Sequence, residues 1–390
     1  MTKRDKKRIL RMVLADLAAF GVLSYLVCAQ VFRFFPWRPV EIVIPSQEAS
    51  VPEATAVPEE TAEPTAAPTH TPAPSASGEE NTPSTTEQTP APTATPEPTD
   101  TPAPEPEGLL KGKFAEKFSA EVVSTDTAYR SENVAIELEE RTGYVCATCG
   151  HTADAAGACP FCGFEIANNK NTRMNYTFAD IYLQDISSLR TAYAAKATET
   201  DRVKPMSEAN NGILAVNTDY FLNAYSNNHG WFYRNGVEIQ RYNKITADLC
   251  VLYADGTMET IETKNKTVDF DGIAAKTPLH MWYFGPALLD EAGASKTKFN
   301  SSLGKANPRT VIGYYEPGHY CFFVVNGRNG ERGLTFEELS LLCADLGLKA
   351  AYNMDGGASS ALYFNGKVYG PNGRDTSDIV YIAEPIKENE

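Results

Sequence analysis

Hydrophobic and polar positions divide the chain into three unlike parts. An apolar run over 12–32, broken by Asp16, Gln30 and a few small polar residues, has about the length of a bilayer-spanning helix, roughly 20 residues. Residues 46–108 hold almost no large apolar side chains and carry 14 prolines between Pro52 and Pro106. After 108, short apolar runs recur at 133–138, 174–183, 213–217, 249–253, 311–315 and 320–325, and these predict strands. One helix is legible. Thr335-Phe-Glu-Glu338 forms a capping box, Phe336, Leu339, Cys343 and Leu346 recur at helical spacing, and Gly347 supplies a stop. A strand over 350–354 leads into Asp355-Gly356-Gly357, and a strand over 361–364 turns at Asn365-Gly366, a hairpin signal. Strand runs with an interspersed helix predict an α+β class, a mixed sheet with packed helices. No internal repeat is visible.

Charge sharpens the division. The net charge of −15 splits into +5 over 1–45, −12 over 46–108 and −8 over 109–390. An acidic chain with no long basic block argues against a nucleic-acid partner. Six Lys/Arg and one Asp precede the apolar run, which orients a span with its N-terminus in the cytoplasm, and Arg33, Trp37 and Arg38 suit an outer interface. The expectation is a basic tail and single-pass cell-membrane anchor over 1–45, with the C-terminal domain extracellular. A cleaved signal peptide is the competing reading, with Val27-Cys28-Ala29 as a tolerable site, and the charge of Asp16 within the span counts against the anchor. Residues 46–108 cannot bury enough surface to offset their ordering entropy and predict a disordered, self-repelling stalk. Residues 109–390 suffice for a sizeable core without disulfides, and eight Cys are too few for a disulfide scaffold.

Four of those Cys fall in one window, Cys146-Ala-Thr-Cys149-Gly and Cys159-Pro-Phe-Cys162-Gly. The two turns, nine residues apart, have the spacing of paired metal knuckles, and four thiolates suit a closed tetrahedral Zn site, with Fe as the lesser alternative. Such a site is structural, because no coordination position stays open. An oxidising exterior would favour two disulfides instead. The cluster marks an insertion at about 143–168, at the tip of an elaborated hairpin. Cys321 and Cys343 lie in apolar runs and read as core residues.

Candidate chemistry gathers at strand ends. In Asp355-Gly356-Gly357 the glycines let backbone approach a ligand, and consecutive N–H groups there can form an anion nest, with Ser359 and Ser360 adding hydroxyls. Arg309 opens a strand, Arg328 ends one, and Arg374 sits in the loop GPNGRD; guanidinium groups so placed are natural phosphate clamps. The apolar strand ILAVN ends in Asn217-Thr-Asp219, again at a rim.

From about 130 to 385 the chain resembles the phosphodiester glycosidase family. The motifs, in order, are AVNTDYF (215–221), GPALLDEAG (285–293), NPRTVIGY (307–314), VVNGRNGERGLTFEEL (324–339) and NMDGGASSALYFNGKV (353–368). Thr218 stands where the family commonly has Gly, and the Cys cluster is not a family feature. The resemblance implies cleavage of a sugar-1-phosphodiester, of GlcNAc type, at the sugar C1–O bond in a cell-surface glycan or exopolysaccharide. Such a reaction needs a carboxylate for an oxocarbenium-like transition state and cations for the departing phosphodiester. Asp355 is the first candidate carboxylate and Asp219 the second. Arg309 and Arg328 are the expected phosphate clamps. Asn217, Thr310, Gly356, Gly357, Ser359, Ser360 and Arg374 are the expected substrate contacts. The need for a divalent cation at the active site stays open, as does the choice of nucleophile. A non-catalytic glycan-binding module on a stalk is the alternative.

Overall fold

The computed structural model describes residues 108–386, except 195–198, 220, 222–225, 228, 243–244 and 329. The expected anchor over 1–45 and nearly all of the expected stalk over 46–108 lie outside the described residues. Among the described residues no helix is long and apolar enough to cross a membrane.

Three antiparallel sheets make up the core. The large sheet runs in the order Val123–Ser124, Ala128–Arg130, Val134–Val145, Arg173–Leu183, His319–Val325, Arg309–Glu316, Ala350–Asn353. The second runs Val237–Arg241, Trp231–Arg234, Pro278–Tyr283, Leu249–Tyr253, Met258–Ile261. The third runs Lys367–Tyr369, Leu362–Phe364, Leu214–Asn217, Asp378–Ile382, Leu189–Tyr193. The expected mixed sheet is therefore corrected. Every strand pairing among the described residues is antiparallel, and the described α-helices are short: Val203–Ala209, Phe270–Ala275 and Phe336–Asp345. The molecule is β-rich rather than evenly α+β. Where neighbours are joined by a tight turn, connection length dictates the antiparallel pairing. Arg309–Glu316 and His319–Val325 are joined by Pro317-Gly318 alone, whereas parallel neighbours need crossovers of a dozen residues or more.

The large sheet is buried on both faces, which is why 320–325 reads as an unbroken apolar run. Ile181, Ile312, Phe322 and Val324 face the main core, where they meet Leu252 and Trp282 of the second sheet and Val216, Leu362 and Val380 of the third. Phe178, Val311, Phe323 and Val325 face the other way, against Leu339, Leu342 and Cys343 of the helix Phe336–Asp345. That helix begins as expected: Thr335 Oγ1 accepts from Glu338 N (3.2 Å) and Thr335 N donates to Glu338 Oε2 (2.9 Å).

Candidate active site

The family-like motifs meet around one backbone junction, Asn307-Pro308. A Cβ on Gly333 would stand 2.3 Å from the Asn307 carbonyl carbon, one on Gly327 2.8 Å from Gly333 Cα, and one on Gly356 2.8 Å from Pro308 O. Three loops thus pack main chain on main chain, which only glycine allows. Gly357, at φ 67°, then donates its N–H to Pro308 O (3.0 Å) and starts a 3-10 turn over Gly357–Ser359.

Asn217 ties this junction to the third sheet. Fully buried, it donates from Nδ2 to Asp355 O (2.7 Å), while its Oδ1 accepts from Thr310 Oγ1 (2.8 Å) and Ala361 N (3.1 Å). Asp355 N in turn donates to Thr218 O (2.9 Å). Asn217 and Thr310 are therefore spent on holding the Asp355 turn and do not present free polar groups to a substrate, a correction to their expected role.

Above this floor sits Asp355, its side chain 13% exposed, paired through Oδ2 with Arg374 Nη2; the Arg374 side chain is 51% exposed. Arg374 Nε also donates to Ser359 Oγ (2.6 Å). The Arg374 loop is itself fixed: Gly373 N (2.7 Å) and Arg374 N (3.1 Å) donate to Ala358 O, Asn372 N donates to Ser360 O (3.0 Å), and Arg202 pairs with Asp375 (2.5 Å). Arg328 is exposed, with Nη2 3.6 Å from where a Cβ on Gly357 would lie. Asp355, Arg374, Arg328, Gly356, Gly357 and Ser359 are thus brought together. Ser360 lies beside them, fully buried, its Oγ without a protein partner.

Arg309 and Asp219 lie elsewhere. Arg309 turns inward: Nε donates to Leu334 O (3.0 Å), Nη2 donates to Leu303 O (2.9 Å) and Lys305 O (2.7 Å), and the guanidinium stacks 3.9 Å from the Phe336 ring centroid. Burial pulls its pKa down to about 10. It pins a loop rather than facing Asp355. Asp219 is fully buried, with Oδ1 taken by Arg234 Nη2 (2.6 Å) and Oδ2 by Tyr283 N (2.8 Å). Arg234 also binds Asp378, Nε to Oδ2 at 3.1 Å. Burial pushes the Asp219 carboxyl up to about 7 against the pull of Arg234, and the Asp378 charge adds to the rise. This carboxylate–guanidinium–carboxylate triad joins the second sheet to the third beneath the site.

Sequence reasoning missed Arg234 and Asp378. The available signal was a charge inside an apolar strand, WFYR before Asn-Gly, and DIVYI after Ser377.

In the insertion, all four Sγ atoms of Cys146, Cys149, Cys159 and Cys162 lie within 4.8 Å of one another, with Cys146–Cys162 and Cys149–Cys159 at 3.6 Å. All four are free thiols. A tetrahedral thiolate shell with Zn–S near 2.3 Å has sulfurs roughly 3.8 Å apart, so the cluster has the dimensions to hold a metal ion.

Residues 210–383 match the model of the phosphodiester glycosidase family. The matched stretch contains Asn217, Arg328, Asp355 and Arg374. No curated protein matches the chain. Among solved structures, the chain is similar to the zebrafish N-acetylglucosamine-1-phosphodiester alpha-N-acetylglucosaminidase catalytic domain auto-inhibited by its pro-peptide, with 15% identity over 65% of this chain and 88% of that one, TM-score 0.47. It is also similar to a hypothetical protein from Synechocystis, with 11% identity over 68% of this chain and 64% of that one, TM-score 0.45. The likeness to the family rests on the sequence match.

Proposed function

We propose that the domain over 109–390 hydrolyses a sugar-1-phosphodiester of GlcNAc type, in a cell-surface glycan or exopolysaccharide, by breaking the sugar C1–O bond. The family match over 210–383 carries this reading. Asp355 is the key carboxylate, stabilising the oxocarbenium-like transition state. Arg374 neutralises the phosphodiester as it departs and Arg328 holds its ground-state charge, together taking the role first expected of Arg309 and Arg328. On phosphate binding, Arg374 exchanges part of its pairing with Asp355 for the incoming anion, which frees the carboxylate to face the sugar. Ser359 orients Arg374, and the triad of Asp219, Arg234 and Asp378 holds the floor.

Residues 1–45 anchor the protein in the cell membrane and 46–108 hold the domain outside it. Four thiolates of the insertion bind one Zn ion, with Fe as the lesser alternative.

The test is turnover of a GlcNAc-1-phosphodiester by the wild type and by Asp355→Asn. This reading expects release of free sugar, and a rate lower by about 10² or more in the variant, the scale of losing one well-placed electrostatic stabiliser. Binding of the phosphodiester without sugar release, equal in both proteins, would make the chain a glycan-binding module.

A further inference from the structure

The Cys insertion is tied to the segment carrying Arg328 from two sides. Its exit strand supports that segment directly. Asn326 N donates to Asn175 O (2.9 Å), Arg332 N donates to Arg173 O (3.4 Å), and Asn175 Nδ2 donates to Glu331 Oε1 (2.7 Å). Its first metal turn docks on the helix that follows. His151 Nδ1 pairs with Asp345 Oδ2 at 2.9 Å, and Gly150 abuts Leu341, where a Cβ would stand 3.0 Å from Cδ1. The first turn of the same helix holds Arg332, Nη1 to Glu338 Oε2 at 2.9 Å. The Arg328 loop is thus suspended between the strand leaving the knuckle and the helix beneath it.

We propose that the metal in the knuckle is a remote positioning cofactor for the Arg328 loop; the catalytic consequence rests on the phosphodiester reading above. Without the metal the knuckle is held by modest contacts: a small buried cluster of Ala153 and Ile166 with the cysteines, and the His151 ring stacked on Phe161 at 3.9 Å. Its regular structure is two two-residue strands, Gly157–Ala158 and Glu165–Ile166, plus a two-residue pairing of Thr152–Ala153 with the sheet. A divalent ion displaces the thiol protons and binds four thiolates, which crosslinks both turns. Losing it loosens the His151 and Gly150 contacts, then the helix start and the 326–334 segment. Arg328 is a ground-state anion contact in this account, so the effect falls on substrate binding.

The experiment uses the full chain purified with zinc, then stripped with a chelator and reloaded with Zn(II) or Co(II). Zinc should be present at one per chain, and the cobalt form should show the intense thiolate charge-transfer bands of a tetrahedral site. Removal should speed amide hydrogen exchange at Asn326 and Arg332 by about tenfold or more while Leu214–Asn217 stays protected, a local rather than global opening. KM for a sugar-1-phosphodiester should rise severalfold with kcat within about twofold, the mark of lost ground-state binding. Should the stripped chain unfold, Asp345→Asn keeps the four thiolates and weakens only the docking; it should reproduce part of the exchange change with zinc still bound. Unchanged exchange at Asn326 and Arg332 after metal removal, or in Asp345→Asn, overturns the proposal, as does failure to bind either metal. Faster exchange without any turnover supports the coupling and overturns the glycosidase reading.

Discussion

Replacing Arg234 by methionine removes the guanidinium at the centre of the buried triad while roughly keeping its bulk. It leaves Asp219 and Asp378, both fully buried, without their shared cation at 2.6 and 3.0 Å, and frees the carbonyls of Tyr233 and Met281. Breaking a buried pair from one side costs about 3–5 kcal/mol. The stranded carboxyls can escape only by taking up protons. Asp219, raised to about 7 in the intact triad, already holds much of its proton, so the new cost falls on the second carboxyl: measured against an ordinary pKa near 3.9, about 4 kcal/mol at pH 7 and about 1.5 at pH 5. The destabilisation should therefore be about 3–5 kcal/mol at pH 7 and smaller by roughly 2 at pH 5. Urea unfolding followed by tryptophan fluorescence, at both pH values and with the m-value checked for constancy, measures it. A loss below about 1 kcal/mol at pH 7, the range of an exposed pair, would refute the reasoning. So would a loss that does not shrink at pH 5.

The intact triad makes its own pH signature: with the Asp219 pKa raised to about 7, the folded state keeps a proton that the unfolded chain has released. Its contribution is most favourable below about pH 4 and is lost as pH rises towards 7, so Asp219→Asn should flatten the urea midpoint across that window. Gly333→Ala drives a Cβ to 2.3 Å from the Asn307 backbone and should cost about 1–3 kcal/mol, whereas Gly304→Ala, with open space around it, should be within about 1 kcal/mol of wild type by thermal melting. Arg328→Ala should raise KM for a sugar-1-phosphodiester more than it lowers kcat, because the ground state is already anionic; an unchanged KM in steady-state assays would remove Arg328 from the site. Cys146→Ser should abolish stoichiometric zinc by metal analysis and lower stability more than it lowers kcat of the folded fraction.

Local rules made much of this architecture readable. The run 249–253 is a strand at the expected limits, and 320–325 differs only by the addition of His319. The capping box at Thr335 and the Asn365-Gly366 turn, both residues at positive φ, form as their chemistry dictates. The antiparallel order did not follow, because strand runs alone do not say which neighbours pair. Much of the second sheet escaped for a different reason: Trp231–Arg234 and Pro278–Tyr283 are short, and their aromatic and charged residues do not alternate cleanly. At the site, Asp355, Arg328 and Arg374 were legible as polar residues beside glycines at strand ends. The orientation of Arg309 was not. Its partners are carbonyls of Leu303, Lys305 and Leu334, and backbone acceptors leave no mark on side-chain identity. Asp219 was misplaced for a related reason, since its neutralising partner, Arg234, lies fifteen residues on in another sheet.

The central claim is that the sugar C1–O bond breaks, with Asp355 as the carboxylate that serves it. Turnover of a GlcNAc-1-phosphodiester in ¹⁸O-labelled water, with products separated and weighed by mass spectrometry, tests it most directly. The account predicts label in the free sugar, an unlabelled phosphomonoester, and turnover reduced by about 10² in Asp355→Asn. Label in the phosphate, with sugar phosphate and alcohol as products, would contradict it.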